Sequence, residues 1–213
     1  MKIDDIFESP IPDEWDKEMF SSKTSFAKMK KYVLDNAAKL GAGSSRIAVD
    51  IPYEGRDTAF KVAINNKGIA QNIEEIALLN DYYIRDLEIT IPVIDYDTSD
   101  KPKWIHMEKA QKAKDSFFKK KYGRPLDELM RVCEKKLSTI QGTKLSMHHS
   151  WYDKLGELTE EATQFCDRVV DLCYNSELLI GDLSRVANWG IYEDRPVIID
   201  LGFTTTTRPL YHK

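Results

Sequence analysis

The chain lacks any long hydrophobic run, since no apolar stretch approaches the roughly 18 residues of a membrane span. Cysteine is scarce too, and Cys133, Cys166 and Cys173 show no metal-ligand spacing. Three cysteines without a pairing pattern fit a reducing cytoplasm better than a disulfide framework. The first residues are too acidic for a signal peptide. The sequence therefore predicts a cytoplasmic protein with no membrane partner.

An excess of positive charge is also missing. The chain has 31 Lys and Arg against 35 Asp and Glu, a formal net charge of -4. This balance disfavours generic nucleic-acid binding, which needs a basic surface. Hydrophobic residues make up 42% of the 213 positions, enough for one core or two fused lobes. Nothing in the composition indicates the oligomeric state.

Hydrophobic periodicity and turn residues divide the chain into three parts. Residues 1–21 are acidic, contain Pro10 and Pro12, and predict an irregular leader. Residues 22–110 predict a strand-rich lobe with an inserted helix. Residues 111–213 predict a mainly helical lobe that ends in a short hairpin. The expected fold is α+β, with two lobes and a cleft between them.

The individual elements follow from local patterns. In the first lobe, a helix capped by Ser21 or Ser22 has apolar positions from 26 to 37. A second helix is predicted over 69–83, and strands over 46–51, 58–64, 89–94 and 103–107. In the second lobe, helices are predicted over 113–122, 126–140 and 159–175.

A glycine-rich turn precedes a strand lysine and a helix glutamate. Gly41 and Gly43, followed by Ser44, can lay backbone N–H groups against phosphates. Lys61 lies in an apolar strand, where a lysine costs free energy unless it is paired or at an edge. Glu75 on the following helix is its natural partner, because an ion pair would direct Lys61 toward phosphate groups. Each residue alone could be a turn or a surface charge, but their order along the chain favours a nucleotide site.

Two carboxylates and an amide lie near the predicted terminal hairpin. Asp182 follows a helical stretch, and Asn188 comes six positions later. Asp200 ends the β-branched run Val197–Ile199 and precedes a glycine turn. Phosphoryl transfer needs such groups to hold magnesium and to orient a hydroxyl.

These motifs together resemble the protein-kinase-like superfamily over roughly residues 38–206. The chain is similar to its glycine-rich loop at Gly41-Ala42-Gly43, to its ATP-lysine strand at Ala59-Phe60-Lys61, to its catalytic loop at Gly181-Asp182-Leu183 and to its metal-binding turn at Asp200-Leu201-Gly202. The resemblance implies a bilobal fold. Its N-lobe would be a small antiparallel sheet with one helix, and its C-lobe would be truncated and mainly helical.

The resemblance also implies roles for particular residues. Residues 105–110 are similar to the hinge, so Met107 would be the gatekeeper, and backbone atoms of Glu108 and Ala110 would bond adenine. Lys61, paired with Glu75, would neutralise charge on the ATP phosphates.

The catalytic and metal-binding roles follow in the same way. By the resemblance, Asp182 would accept the proton of the substrate hydroxyl or orient that hydroxyl. Asn188 and Asp200 would hold Mg²⁺. ATP and Mg²⁺ are therefore the expected cofactors.

The chain departs from the family pattern at three points. Gly181 stands where an Arg usually precedes the catalytic Asp, as in the small-molecule kinases similar to aminoglycoside phosphotransferases. Asn188 lies one position later than the pattern has it, so the extra residue is either absorbed in the loop or displaces Asn188 from the metal. The third glycine of the loop is missing. A small-molecule kinase, a pseudokinase and a nucleotide-binding interaction protein therefore stay open as alternatives.

The length of the chain after Asp200 favours one group within this superfamily. The chain stops about a dozen residues after Asp200, before the activation segment and the later helices of the family. This arrangement resembles the compact protein kinases of lytic bacteriophages, which would act in the host cytoplasm. The leading hypothesis is a compact serine/threonine protein kinase with a protein substrate.

Overall fold

The computed structural model describes residues 11–12, 14–21, 23–143 and 157–211. Predictions that fall on 1–10, on Ser22 or on 144–156 lie outside the described residues. The chain divides into two compact units. The first comprises the described residues up to Leu79 together with Ile91–Lys109, and the second comprises Asn80–Thr90 together with the described residues from Ala110 onward. The chain therefore passes between the units after Leu79, after Thr90 and after Lys109.

The first unit contains a five-stranded antiparallel sheet in the order β1-β2-β3-β5-β4. Its strands are β1 (Ala38–Ala42), β2 (Arg46–Tyr53), β3 (Arg56–Ala63), β4 (Val93–Tyr96) and β5 (Trp104–Glu108). Glu54 and Gly55 both have positive φ, which produces the tight two-residue turn between β2 and β3.

Two strand predictions need correction. The strand predicted over 89–94 is β4, which begins only at Val93, because Ile89 and Thr90 belong to the second unit. There the Ile198 N–H donates to the Ile89 carbonyl at 2.7 Å. The sequence also predicts a turn at Gly41 and does not predict β1. Gly41 lies in β1 instead, opposite Ala48.

One face of the sheet forms the core of the first unit. Helix α1 (Phe26–Asn36) and a 3-10 turn at Lys17–Phe20 cover this face. Ser25 caps α1, rather than Ser21 or Ser22, by accepting from the Lys28 N–H. Trp15 and Phe20 are buried here, so part of the segment predicted as an irregular leader belongs to the core. The core side chains of the sheet are Ile47, Val49, Ile51, Phe60, Val62 and Trp104.

Helix α2 (Asn66–Asn80) reaches the opposite face of the sheet through Glu75, which contacts Lys61. The single helix predicted over 69–83 is in fact two helices. Asp81 caps the short helix α3 (Tyr82–Asp86) by accepting from the Ile84 N–H at 3.2 Å. The polar cap residue therefore ends one helix and starts another.

The second unit is mainly helical. Its helices after α3 are α4 (Asp115–Tyr122), α5 (Leu126–Gln141), α6 (Glu160–Tyr174) and α7 (Ile180–Leu183). A three-stranded antiparallel sheet has the order β6-β7-β8, formed by β6 (Gln111–Lys112), β7 (Trp189–Tyr192) and β8 (Arg195–Ile198). The predicted hairpin is thus confirmed. Cys133, Cys166 and Cys173 are all buried.

The predicted fold class is confirmed. The chain is α+β, with a small antiparallel sheet and several helices. None of the helices in the described ranges is long and apolar enough to cross a membrane.

Candidate functional site

The sheet face opposite the core carries Lys61 among small side chains. Antiparallel register places Lys61 opposite Ala48, and Ala59 opposite both Asp50 and Met107. Directly paired residues share a face of a sheet, and so do residues two apart along a strand. Ala48 and Ala59 are partly accessible, whereas their neighbours on the core face are buried. Two partly accessible alanines therefore lie on the same face as the lysine.

The Lys61–Glu75 ion pair predicted from the sequence is present. Lys61 Nζ lies 2.6 Å from Glu75 Oε1, and Glu75 is fully buried. A second cation meets the same carboxylate, because Arg46 Nη1 donates to Glu75 Oε2. Arg46 also donates to Asn72 Oδ1 at 3.2 Å. We call Arg46, Lys61, Asn72 and Glu75 the Glu75 cluster.

Hydrogen bonds fix the turn between β1 and β2 beside this cluster. The Gly43 N–H donates to the Arg46 carbonyl at 2.8 Å, so it is not directed at a ligand. The Ser44 carbonyl accepts from Asn65 Nδ2, also at 2.8 Å. Ser45 Oγ donates to Gln71 on α2. Hydrogen bonds thus hold the turn to the rest of the first unit.

The fold itself does not require glycine at positions 41 and 43. A Cβ at Gly41 would meet nothing within 4 Å, and one at Gly43 would meet only the Arg46 carbonyl at 3.8 Å. Neither residue has a positive φ. A close approach of a ligand to the backbone is one reason to keep glycine at such positions.

The segment predicted as the hinge ends the first unit. Met107 is buried on β5, opposite Ala59. The Glu108 N–H donates to the Pro92 carbonyl at 3.0 Å, and the Glu108 carboxylate pairs with Arg56 at 2.9 Å. The Glu108 N–H is therefore already bonded, whereas the Glu108 carbonyl could accept from an adenine amino group.

The next two residues are also held in place. Lys109 Nζ donates to Asp50 at 2.5 Å and to Asp57 at 3.3 Å. The hydrogen bond to Asp50 raises the pKa of Lys109. Ala110 is the first residue of the segment that belongs to the second unit. It packs closely on Gly190, since a Cβ added at Gly190 would lie 2.4 Å from the Ala110 Cβ.

The second unit holds the predicted acidic residues. Asp182 lies in α7, and Asn188 Nδ2 donates to both the carbonyl and Oδ2 of Asp182, at 2.8 Å each. A 3-10 turn at Val186–Asn188 precedes β7. Asn188 thus contacts Asp182 across the six-position spacing.

Asp200 follows β8 and lies close enough to affect Asp182. Burial raises the pKa of Asp182, and the negative charge of Asp200 raises it further. Arg185, whose Nη1 is 3.8 Å from Asp182 Oδ1, and the Asn188 hydrogen bond act in the opposite direction. We call Asp182, Arg185, Asn188 and Asp200 the Asp182 cluster.

The Asp182 cluster contains donors suited to a hard cation. Because the Asn188 amide nitrogen is bonded to Asp182, the Asn188 amide oxygen is the ligand atom that it can offer. Carboxylate and amide oxygens fit Mg²⁺. Among the described residues, no group of three or more His, Cys, Asp and Glu side chains forms a ready metal site. Two carboxylates and an amide, with substrate phosphates and water, would suffice for Mg²⁺.

Sequence reasoning missed three members of these clusters, namely Arg46, Asn72 and Arg185. Arg46 follows the glycine turn directly, and a charged residue at the start of an apolar strand is a signal that it pairs in the interior. Arg185 is three positions after Asp182, a spacing that places two side chains on one face of a helical turn.

Comparisons with known proteins add little. No protein-family model matches the chain, and no curated protein matches it in sequence. The solved structures that resemble it include the crystal structure of aminoglycoside phosphotransferase APH(4)-Ia, at 14% identity and a TM-score of 0.29. That match covers 55% of this chain and 40% of the phosphotransferase chain. A likeness this weak establishes no function, and the resemblance to compact bacteriophage kinases stays a prediction.

Proposed function

We propose that the chain is an ATP- and Mg²⁺-dependent phosphotransferase of the protein-kinase-like type, acting on serine or threonine hydroxyls of proteins. The observation that carries the proposal is the double hydrogen bond from Asn188 to Asp182. It keeps the two residues together despite the long loop, and Asp200 is close enough to act on the same carboxylate. A protein that only bound nucleotide would have no need for a hydroxyl-orienting Asp182.

The first unit would bind the nucleotide. Lys61, oriented by Glu75, would neutralise phosphate charge. The backbone at Gly41, Gly43 and Ser44 would pass close to the phosphates.

The adenine ring would lie against the alanine-lined face of the sheet. Met107 would act as the gatekeeper beside Ala59. The Glu108 carbonyl and the Ala110 backbone would bond the ring edge.

The second unit would supply the chemistry. Asn188 and Asp200 would hold Mg²⁺, which neutralises charge on the phosphates when bound. Asp182 would orient the acceptor hydroxyl and take its proton. The hydroxyl oxygen forms a bond to the γ-phosphorus, the bond from that phosphorus to the β,γ-bridging oxygen breaks, and ADP leaves.

A small-molecule kinase is the second candidate, and one residue favours it. Gly181 precedes Asp182, where an Arg would be expected in a protein kinase controlled by loop phosphorylation. The pseudokinase alternative rests on the extra residue before Asn188 and on the missing third glycine. The presence of Asp182 together with Lys61, Glu75 and Asp200 argues against it, because a protein that only bound nucleotide would not need Asp182.

The test is transfer of label from γ-labelled ATP with Mg²⁺, comparing the wild type with Asp182→Ala. Acceptors are the chain itself, a mixed cell extract, and the small-molecule fraction of that extract. Label on protein serine or threonine that depends on Asp182 supports the proposal. Asp182-dependent label only in small molecules would make the chain a small-molecule kinase. ATP binding without any transfer would make it a pseudokinase.

A further inference from the structure

Arg46 connects the β1–β2 turn to the Lys61–Glu75 pair. It is the first residue of β2, lies opposite Ala63 and is only 7% exposed. Its guanidinium donates to Glu75 Oε2, while Lys61 bonds Glu75 Oε1 at 2.6 Å. The Glu75 carboxylate is therefore held through both oxygens, by cations on two neighbouring strands.

Further contacts fix the Arg46 side chain and the turn before it. Asn72 accepts from Arg46 through Oδ1 and donates through Nδ2 to the Pro102 carbonyl at 3.0 Å. Asn72 is fully buried, so the position of the guanidinium is set on two sides. Charge-assisted hydrogen bonds of this kind are strong and geometrically specific.

The backbone of the turn is packed directly on helix α2. A Cβ at Gly68 would lie 2.2 Å from the Ser45 carbonyl oxygen, so only glycine permits this approach. Ser45 Oγ also donates to Gln71 on the same helix. The turn and α2 are thus in contact through backbone, a neutral hydrogen bond and the Arg46 ion pair.

We infer that Arg46 is a positioning residue that joins the β1–β2 turn and α2 into one body and thereby sets the direction of the Lys61 ammonium group. A carboxylate held by Lys61 alone could rotate, and Lys61 would rotate with it. Because Arg46 holds the second oxygen of Glu75, the carboxylate keeps one orientation, and so does the Lys61 ammonium group bonded to it. The inference rests on the proposed function, since the target of Lys61 there is a phosphate group.

The test compares Arg46→Met with the wild type in calorimetric binding of Mg²⁺–ATP and of adenosine. We expect the dissociation constant for ATP to rise roughly 10-fold or more, because small misplacements of a positioned group are costly. Adenosine has no phosphate, so its affinity should stay within about twofold. Arg46→Lys, which keeps a cation, should recover most of the ATP affinity. The matched control is Arg85→Met, an exposed arginine on α3, which should bind like the wild type.

Two further measurements sharpen the test, and the first keeps the inference falsifiable if Arg46→Met folds poorly. Ser45→Ala removes only the bond to Gln71, and it should weaken ATP and not adenosine, by a smaller factor. Hydrogen exchange in Arg46→Met should accelerate together in residues 43–45 and in α2, with or without nucleotide.

The outcomes separate this inference from the proposed function. If the wild type binds ATP and Arg46→Met binds it equally well, the positioning role alone is overturned. Equal weakening of ATP and adenosine would assign Arg46 a structural role and also overturn it. A wild type that binds no ATP would overturn the proposed function and the positioning role together.

Discussion

The Glu75 cluster and the Asp182 cluster are built differently. In the Glu75 cluster, charged groups come from two strands and a helix, are buried, and meet groups of opposite charge. In the Asp182 cluster, the groups come from a four-residue helix, a 3-10 turn and the residues after β8. There, burial and then the nearby negative charge of Asp200 raise the pKa of Asp182.

The difference indicates how each region would act. A buried group whose charge is matched within the protein serves as a preformed, rigid positioning device. Like charges held close on turns keep an unfavourable energy that a cation would relieve. We therefore expect substitutions in the Glu75 cluster to affect folding as well as binding, and substitutions in the Asp182 cluster to affect chemistry far more than folding.

The largest expected effect is that of Asp200→Asn on phosphoryl transfer. Loss of this carboxylate should remove Mg²⁺-dependent transfer by roughly 10³-fold or more, because charge neutralisation carries most of the catalysis. The unfolding midpoint in urea should stay close to that of the wild type. The matched control is Asp194→Asn in the β7–β8 turn, where Asn tolerates the positive φ. An Asp200→Asn protein that unfolds would instead identify a structural carboxylate.

The next effect is on folding and concerns both cations around Glu75. The double variant Lys61→Met with Arg46→Met leaves a fully buried carboxylate without these two partners. It should lose about 3–5 kcal/mol of unfolding free energy. Each single variant should lose clearly less, because the other cation still bonds Glu75. Urea denaturation gives the unfolding free energies of the wild type, the two single variants and the double variant. Additive losses would show that the two cations do not compensate for each other.

Lys61→Met alone tests the role of this lysine in nucleotide binding. It should weaken ATP binding roughly 10-fold while α2 stays in place through Arg46. The same substitution at Lys39, exposed on β1 of the same sheet, is the control and should leave ATP binding unchanged. Wild-type ATP affinity in Lys61→Met would remove this lysine from the site.

Glycines near the Glu75 cluster should respond differently. Gly68→Ala places a Cβ 2.2 Å from the Ser45 carbonyl and should cost about 1–3 kcal/mol of unfolding free energy. Gly43→Ala meets only an ordinary contact, so its unfolding free energy should change by about 0.5 kcal/mol or less while ATP binding weakens. Thermal unfolding and calorimetry of both variants check this. Equal stability of the two would contradict the close packing of the turn on α2.

The smallest expected effect is on the pH dependence of stability. A carboxyl whose pKa is raised in the folded state contributes stability below its unfolded-state pKa and loses it as the pH rises through the folded value. Burial and Asp200 raise the pKa of Asp182, so its ionised form is unfavourable at neutral pH. Asp182→Asn should therefore be more stable than the wild type at about pH 7, with a smaller difference at about pH 4. A variant that is less stable at neutral pH would contradict this.

Local patterns predicted most of the elements. The helix that begins at Glu160 is marked by the cap Thr159 and the acidic residues of its first turn. The β7–β8 hairpin follows from β-branched residues on either side of a polar turn. In contrast, β1 is short and contains Gly41, so no alternation marked it. The burial of Trp15 and Phe20 depends on a sheet formed by residues much later in the chain.

The candidate site was predicted only where residue type and order carry the information. A lysine in an apolar strand needs an anion, and Glu75 lies on the next helix. Arg46 reaches the same Glu75 across 29 positions, a contact that local spacing cannot indicate. The contact between Asn188 and Asp182 likewise depends on the path of the loop between them, which local patterns do not indicate.

The most direct test of the central claim is the single-turnover rate of phosphoryl transfer from Mg²⁺–ATP, measured for the wild type and for Asp182→Asn alongside their ATP affinities. The account predicts that transfer slows roughly 10²-fold or more while ATP binds equally well, because Asp182 acts on the acceptor hydroxyl and not on the nucleotide. Equal rates in the two proteins, or a wild type that binds ATP and transfers nothing, would contradict it.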